Sequence, residues 1–136
     1  MACRCAAVDC VALAGGKIVL VRRGRDPEKG KLALPGGFVE PDETIEQACL
    51  RELKEETGLD ARIVGEIGVF SSPERDPRGT ISIALFAIAS GKPEPGDDAS
   101  AVLFLGPDEA LRSGLAFDHS EILRAGLEKF KSFFPA

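Results

Sequence analysis

The sequence predicts an α/β domain, a mixed β-sheet sandwiched between helices. Three patterns predict it: apolar runs with strand-like alternation, two stretches with apolar residues at helical spacing, and alternation of the two without strict βαβ regularity. Val8 to Leu13 and Lys17 to Arg22 read as two strands joined by the tight turn Ala14-Gly15-Gly16. A polar loop, RRGRDPEKGK, runs from Arg22 to Lys31, and an apolar run from Leu32 to Val39 is interrupted by Pro35-Gly36-Gly37. A helix starts near Glu43 or Thr44, after Pro41-Asp42, and stops at Gly58, a residue suited to a left-handed cap. Arg62 to Phe70 and Thr80 to Ala89 read as strands, separated by the loop SSPERDPRG from Ser71 to Gly79. A second loop, Ser90 to Asp98, leads to a strand at Ala101 to Leu105 and a short helix at Pro107 to Leu111. The last helix runs from about His119 to Phe134, with Ile122, Leu123, Leu127, Phe130 and Phe134 on its buried side.

The 136 residues fit one domain, 1–136, without linker or repeat. A net charge of −5 argues against a nucleic-acid backbone as main partner. A phosphorylated small molecule fits if metal ions mediate the contact. There is no Trp and no Tyr, so an aromatic ring stacked on a base has to be Phe or His. No apolar run approaches the roughly 20 residues of a membrane helix, and MACRCAAVDCVALAGG lacks the order of a signal peptide. The expectation is a cytoplasmic protein with reduced cysteines and no membrane partner. Cys3 and Cys5 lack a second Cys/His pair to complete a zinc site, and Cys49 falls on the apolar side of the central helix.

The chemistry concentrates in Gly37 to Leu59, GFVEPDETIEQACLRELKEETGL. Glu52, Glu55 and Glu56 stand at i, i+3 and i+4, so on a helix they share a face. Ile45, Ala48 and Cys49 define an apolar stripe, and Glu52 and Glu56 continue it one and two turns later with Glu55 beside them. Three like charges on one face need compensation, and a divalent cation held by oxygen ligands is the simplest candidate. RELKEE alone is ordinary helix-surface composition, with Arg51 and Glu55 as a plain i,i+4 pair. The complete pattern is far more specific. It is G-x5-E-x7-R-E-apolar-x-E-E-x-G-apolar, filled by Gly37, Glu43, Arg51, Glu52, Leu53, Glu55, Glu56, Gly58 and Leu59. Chance would fill it at a given start on the order of once in a billion, which sets the surface-helix reading aside.

The pattern, residues 37–59, resembles the signature of the Nudix hydrolases. The resemblance implies the Nudix α/β/α sandwich and hydrolysis of a nucleoside diphosphate linked to another moiety. It implies Mg²⁺, with Mn²⁺ as the alternative ion, held by Glu52 and Glu56, with Glu55 as a further ligand or a water-bound neighbour and the Gly36 carbonyl as neutral ligand. Arg51 is expected to orient a carboxylate. Glu43 accepts from Arg51 or the helix start, or is simply a first-turn acid favoured by the helix dipole. The general base is a helix acid, Glu52 or Glu55, or a loop acid among Glu94, Asp97 and Asp98; Ser100 occupies a place where relatives often carry Glu.

SSPERDPRG and the later Phe117-Asp118-His119 resemble segments of the ADP-ribose pyrophosphatase subgroup, although Thr80 stands where the loop pattern usually continues with His. On that resemblance Arg75, Arg78 and Thr80 contact substrate; the alternative for the arginines is a solvent-exposed turn with salt bridges. Arg22 and Arg23 close a strand, where alternation sends one of the two inward without saying which, and Arg22 stands as the expected substrate contact. His119 stacks, caps a helix, contacts the nucleotide or is structural. The implied reaction is ADP-ribose to AMP and ribose 5-phosphate, in a homodimer. The alternative enzyme is a house-cleaning nucleoside triphosphate pyrophosphatase, and the alternative class is a nucleotide sensor without turnover.

Overall fold

Alternating apolar side chains make the central strands two-faced, and the two faces create two cores. The computed structural model describes residues 2–134 except 95, 97 and 98, with 99 and 100 described as backbone only. The elements in chain order are β1 (Ala6–Ala14), β2 (Lys17–Arg23), β3 (Leu32–Ala33), β4 (Gly36–Phe38), α1 (Ile45–Thr57), β5 (Asp60–Phe70), β6 (Ile81–Ser90), β7 (Ala99–Leu105), α2 (Pro107–Arg112) and α3 (His119–Lys129). Val8, Cys10, Ala12, Val19, Leu85 and Ala87 pack against Ala48, Cys49 and Leu53 of α1. Val11, Leu13, Ile18, Leu20 and Phe86 form the opposite core with Ala110 of α2 and Ile122 and Leu123 of α3. Each fully buried Leu, Ile or Phe contributes about 1.5–3 kcal/mol of transfer free energy. The result is a mixed sheet between helices, as the sequence predicts.

The strand registers explain how the sheet makes room for a site. The path is β3-β2-β1-β6-β5, with β6 parallel to β1 and β5 antiparallel to β6. Residues Ala7 to Asp9 pair with β4 and with β6, and Leu13 pairs with β2 and with β6. A residue has only two edges, so β2 and β4 lie on the same edge of β1. The same reasoning places β1 and β3 on one edge of β2, because β7 occupies the other. Strands β1 and β2 therefore splay apart beyond their short contact. The segment Leu32 to Phe38 fills the wedge, β3 against β2 and β4 against β1.

Local signals set α1. Thr44 caps its start in a reciprocal capping box with Gln47. Gly58 ends it at φ 76°, its N–H donating to the Lys54 carbonyl. The last helix is shorter than expected: α3 ends at Lys129 and a 3₁₀ turn, Lys131–Phe133, follows. That turn gathers Phe130, Phe133 and Phe134 around Phe86, with ring centroids 4.6, 5.3 and 5.8 Å away. Strand β5 starts two residues earlier than expected and carries two register irregularities, at Ile63/Gly65 and Glu66/Gly68. Among the described residues no helix is long and apolar enough to cross a membrane.

Candidate active site

The acidic face of α1 is organised around one guanidinium. Arg51 Nε donates to Glu43 Oε2 at 2.9 Å, and Nη2 donates to Glu43 Oε1 at 2.5 Å and to the Phe38 carbonyl at 3.0 Å. Its Nη1 reaches Glu52 Oε1 at 2.5 Å and Glu55 Oε2 at 3.2 Å. Arg51 thus offsets part of the charge of Glu52 and Glu55, two of the three acids for which a divalent cation is expected, and does not reach the third, Glu56. Glu43 is the Arg51 acceptor and not a first-turn acid: it precedes the N-cap Thr44, takes two bonds from Arg51 and accepts one from the Glu40 N–H. The Arg51 bonds, aided by that N–H, draw its carboxyl down to about 2. Glu55 turns outward, its side chain 60% exposed, and lines neither compartment of the cleft.

Glu56 is the acid without a cationic bond partner. Its Oε2 accepts from the Gly36 N–H at 2.9 Å. Burial, followed by the charges of Glu52 and Asp9, outweighs that bond and Arg23, and pushes its carboxyl up to about 8. Burial also raises Glu52, against the pull of Arg51. Cys10 and Cys49 lie buried below; their mutual hydrogen bond and burial hold the Cys10 thiol well above the usual range.

Gly36 and Gly37 form the wall opposite α1. The bonds Cys10 N–H to Pro35 carbonyl and Val39 N–H to Ala6 carbonyl mark hydrogen-bonded pairs, so Gly36, opposite Asp9, is a non-hydrogen-bonded position. Its N–H and carbonyl both point away from β1, on the edge where Glu56 meets the N–H. A Cβ on Gly36 would strike the Val8 carbonyl oxygen, which is backbone, and one on Gly37 would strike the Glu52 carboxylate. Gly36→Ala is therefore expected to separate β4 from β1 and lose about 2 kcal/mol or more of stability together with activity. Urea unfolding with a loss below about 0.5 kcal/mol would contradict that packing.

Two joined compartments make up the cleft. The larger, about 380 Å³, is bordered by Arg23 to Pro27, Gly36 to Phe38, Glu52, Glu56 and Arg78. The smaller, about 70 Å³, shares Arg23, Phe38, Glu56 and Arg78 and is floored by Asp9, Arg75, Thr80 and His119. Asp9 is the site residue that the sequence reading missed. Its Oδ2 accepts from the Ser82 hydroxyl at 2.6 Å, its Oδ1 lies 3.3 Å from His119 Nε2, and Arg75 Nη2 is 3.5 Å away. Burial pushes its carboxyl up, but His119, Ser82 and Arg75 together hold it below the usual range. The available signal was one acid inside the apolar strand AAVDCVALA, since a buried charge requires partners.

Several expected site residues sit elsewhere or act differently. Arg22 is not at the cleft: it donates to the Gly30 carbonyl at 2.8 Å. Arg23 lines both compartments, because alternation puts it with Val19 and Val21 on the α1 face. Arg75 is neither a solvent-exposed turn residue nor a free anion binder. It grips Asp118 through Nε and Nη2 at 2.8 and 2.7 Å and donates from Nη1 to Thr80 Oγ1 at 2.6 Å. Thr80 in turn donates to Asp76 at 3.3 Å, so it is a buried link on the floor. Arg78 is held bidentately by Asp76 yet lines both compartments. His119 is structural: its Nδ1 accepts from the Leu34 N–H at 3.0 Å, which leaves the proton on Nε2 toward Asp9. Glu94 is exposed and donates its backbone N–H to the Thr57 carbonyl at the end of α1, away from both compartments. Asp97 and Asp98 lie outside the described residues.

Among the described residues no three His, Cys, Asp or Glu side chains converge as a ready metal cage. Two carboxylates and a backbone carbonyl edge remain, Glu52, Glu56 and Gly36. That donor set suits Mg²⁺, which keeps several waters and is commonly completed by substrate phosphates. The raised, half-buried Glu56 carboxyl fits the same ion, because a cation there offsets its burial.

The α/β/α sandwich carries an acid-lined cleft at the end of α1, and comparison places the chain in a family. The NUDIX domain model matches residues 4–126, so the chain belongs to the NUDIX family and is a Nudix hydrolase. It is 44% identical over 120 residues to an ADP-ribose pyrophosphatase of Methanocaldococcus jannaschii, covering 87% of this chain and 70% of that protein. It resembles a bifunctional NMN adenylyltransferase/ADP ribose pyrophosphatase of Francisella tularensis, complexed with AMP and a Mn ion, at TM-score 0.86 and 31% identity. That match covers 95% of this chain but 42% of the larger one. The NUDIX domain of Shewanella oneidensis NrtR, complexed with ADP ribose, matches at TM-score 0.84 and 26% identity over 95% of this chain and 90% of that one.

Proposed function

We propose that this chain hydrolyses ADP-ribose to AMP and ribose 5-phosphate with Mg²⁺ or Mn²⁺. The observation that carries it is the meeting of Glu52, Glu56 and the Gly36 edge in a cleft whose rim holds Arg23 and Arg78. The likeness to the archaeal ADP-ribose pyrophosphatase supports the choice of substrate. Glu52, Glu56 and the Gly36 carbonyl hold the metal ion, which when bound polarises phosphoryl oxygens and lowers the pKa of water. Arg51 is a positioning residue; its donors fix Glu43, Glu52 and the Phe38 carbonyl and leave Glu52 aimed at the cleft. Arg23 and Arg78 attract the diphosphate. Water adds to one phosphorus, and the bridging P–O bond breaks with the bridging oxygen leaving in the other monophosphate. A helix acid accepts the proton from water, and of Glu52 and Glu55 it is Glu52 that lines the cleft.

The homodimer belongs to the same reading. Strand β5 ends the sheet path with an open edge, and Val69 on it is 60% exposed. Four free cysteines support a reducing, cytoplasmic compartment. The test of function is a substrate panel with Mg²⁺: ADP-ribose, NADH, dinucleoside polyphosphates and nucleoside triphosphates. ADP-ribose is expected to give the highest kcat/KM; a preferred triphosphate would overturn the substrate assignment while leaving the metal chemistry intact.

A further inference from the structure

The chain has eight Phe and neither Trp nor Tyr, so a planar ligand has few surfaces on which to stack. Phe70, Phe86, Phe130 and Phe134 belong to one core and Phe104 to the other, and Phe133 packs on Phe86 and Phe130. Phe38 and Phe117 alone among them line the cleft. The two are linked by one arginine, Arg78. The Arg78 guanidinium lies 5.5 Å from the Phe38 ring centroid and 5.4 Å from that of Phe117, and Arg23 lies 4.9 Å from Phe117. Phe117 adopts φ 53°, uncommon for a bulky side chain, and its N–H donates to Glu28, which has φ 59°. The Glu28 carboxylate thus ties the Phe117 backbone to the loop that borders the other compartment of the cleft.

We infer that Phe38, braced by Arg78, is the platform on which the nucleotide base stacks, resting on the ADP-ribose reading above. Phe117 already carries two guanidinium groups, whereas Phe38 carries one and is 44% exposed. The Phe38 ring borders both compartments of the cleft, next to Glu56 and Arg78. Phe38 also stands two residues from Gly36 on an extended strand, about 7 Å along the chain. A nucleoside monophosphate spans that interval from phosphorus to base. The base-bearing half of the substrate thus lies over β4, with its phosphate between Arg78 and the acids. Stacking tolerates any base, so the platform recognises a nucleobase as a class and not adenine by its edges.

Two readouts test this. The first is fluorescence of 1,N⁶-etheno-AMP with the metal-loaded protein, which has no Trp or Tyr background. Stacking is expected to quench the wild-type complex, Phe38→Ala to abolish the quench, and Phe38→Tyr to restore it. The second is the ratio of kcat/KM for ADP-ribose to that for an abasic analogue, expected to fall about 10-fold or more in Phe38→Ala. An equal quench in wild type and Phe38→Ala, or an unchanged ratio, would overturn the platform. Loss of the quench in a protein that never turns over ADP-ribose would support the platform and overturn the substrate reading instead.

Discussion

Glu56→Gln is expected to lower kcat at saturating Mg²⁺ by at least about 100-fold while the protein stays folded. The amide keeps an oxygen for the Gly36 N–H, so the loss reports the missing charge and not a broken contact. The same substitution carries a pH signature. The folded carboxyl titrates at about 8 against an ordinary 4.5. Between these values the folded state keeps a proton that the unfolded chain has released, so metal-free stability falls as pH rises through the window. Gln abolishes that slope. In EDTA, Glu56→Gln is therefore expected to raise Tm at pH 8 by about 4 °C or more and to change it little at pH 4.5. Near-wild-type kcat at saturating Mg²⁺ would overturn the ligand assignment, and a Tm difference independent of pH would overturn the burial argument.

Arg75→Met is expected to cost about 3–5 kcal/mol of stability. The side chain is 3% exposed and supplies the counter-charge for Asp118 and, at longer range, Asp9. Removing it leaves Asp118 without its bidentate partner and Thr80 Oγ1 without a donor, takes one counter-charge from Asp9, which keeps Ser82 and His119, and unties the Ser71–Gly79 loop from the start of α3. Urea denaturation measures the loss. Adding Asp118→Leu should recover part of it, because the uncompensated charge goes too. A single-variant loss under about 1 kcal/mol would show that the network is not what holds the loop.

What was legible in the sequence was local and periodic. Helical spacing put Glu52 and Glu56 inward and Glu55 to the side, and Gly58 marked the helix end through capping chemistry that needs only neighbouring residues, while the start lay open between Glu43 and Thr44 until the capping box with Gln47 settled it at Thr44. Non-local facts were hidden. The wedge between β1 and β2 depends on pairings across the sheet, so nothing near Gly36 revealed that its side-chain space is taken by Val8 and Asp9. Arg22 and Arg23 were indistinguishable until the sheet face carrying Val19 and Val21 was known to be the α1 face. Arg75 and Arg78 occupy one loop motif, yet a distant carboxylate, Asp118, buries the first while Asp76 holds the second at the rim. Asp9 was visible as a residue but not as part of the site, because its partners Ser82, Arg75 and His119 come from three later segments.

Product analysis of ADP-ribose incubated with this protein, with Mg²⁺ and then with excess EDTA, tests the central claim most directly. AMP and ribose 5-phosphate in equal amounts, formed with Mg²⁺ and not with EDTA, is the predicted result. No turnover with Mg²⁺ or Mn²⁺, or equal turnover in EDTA, would contradict the assignment of Glu52, Glu56 and Gly36 as the metal-bearing centre of a diphosphatase.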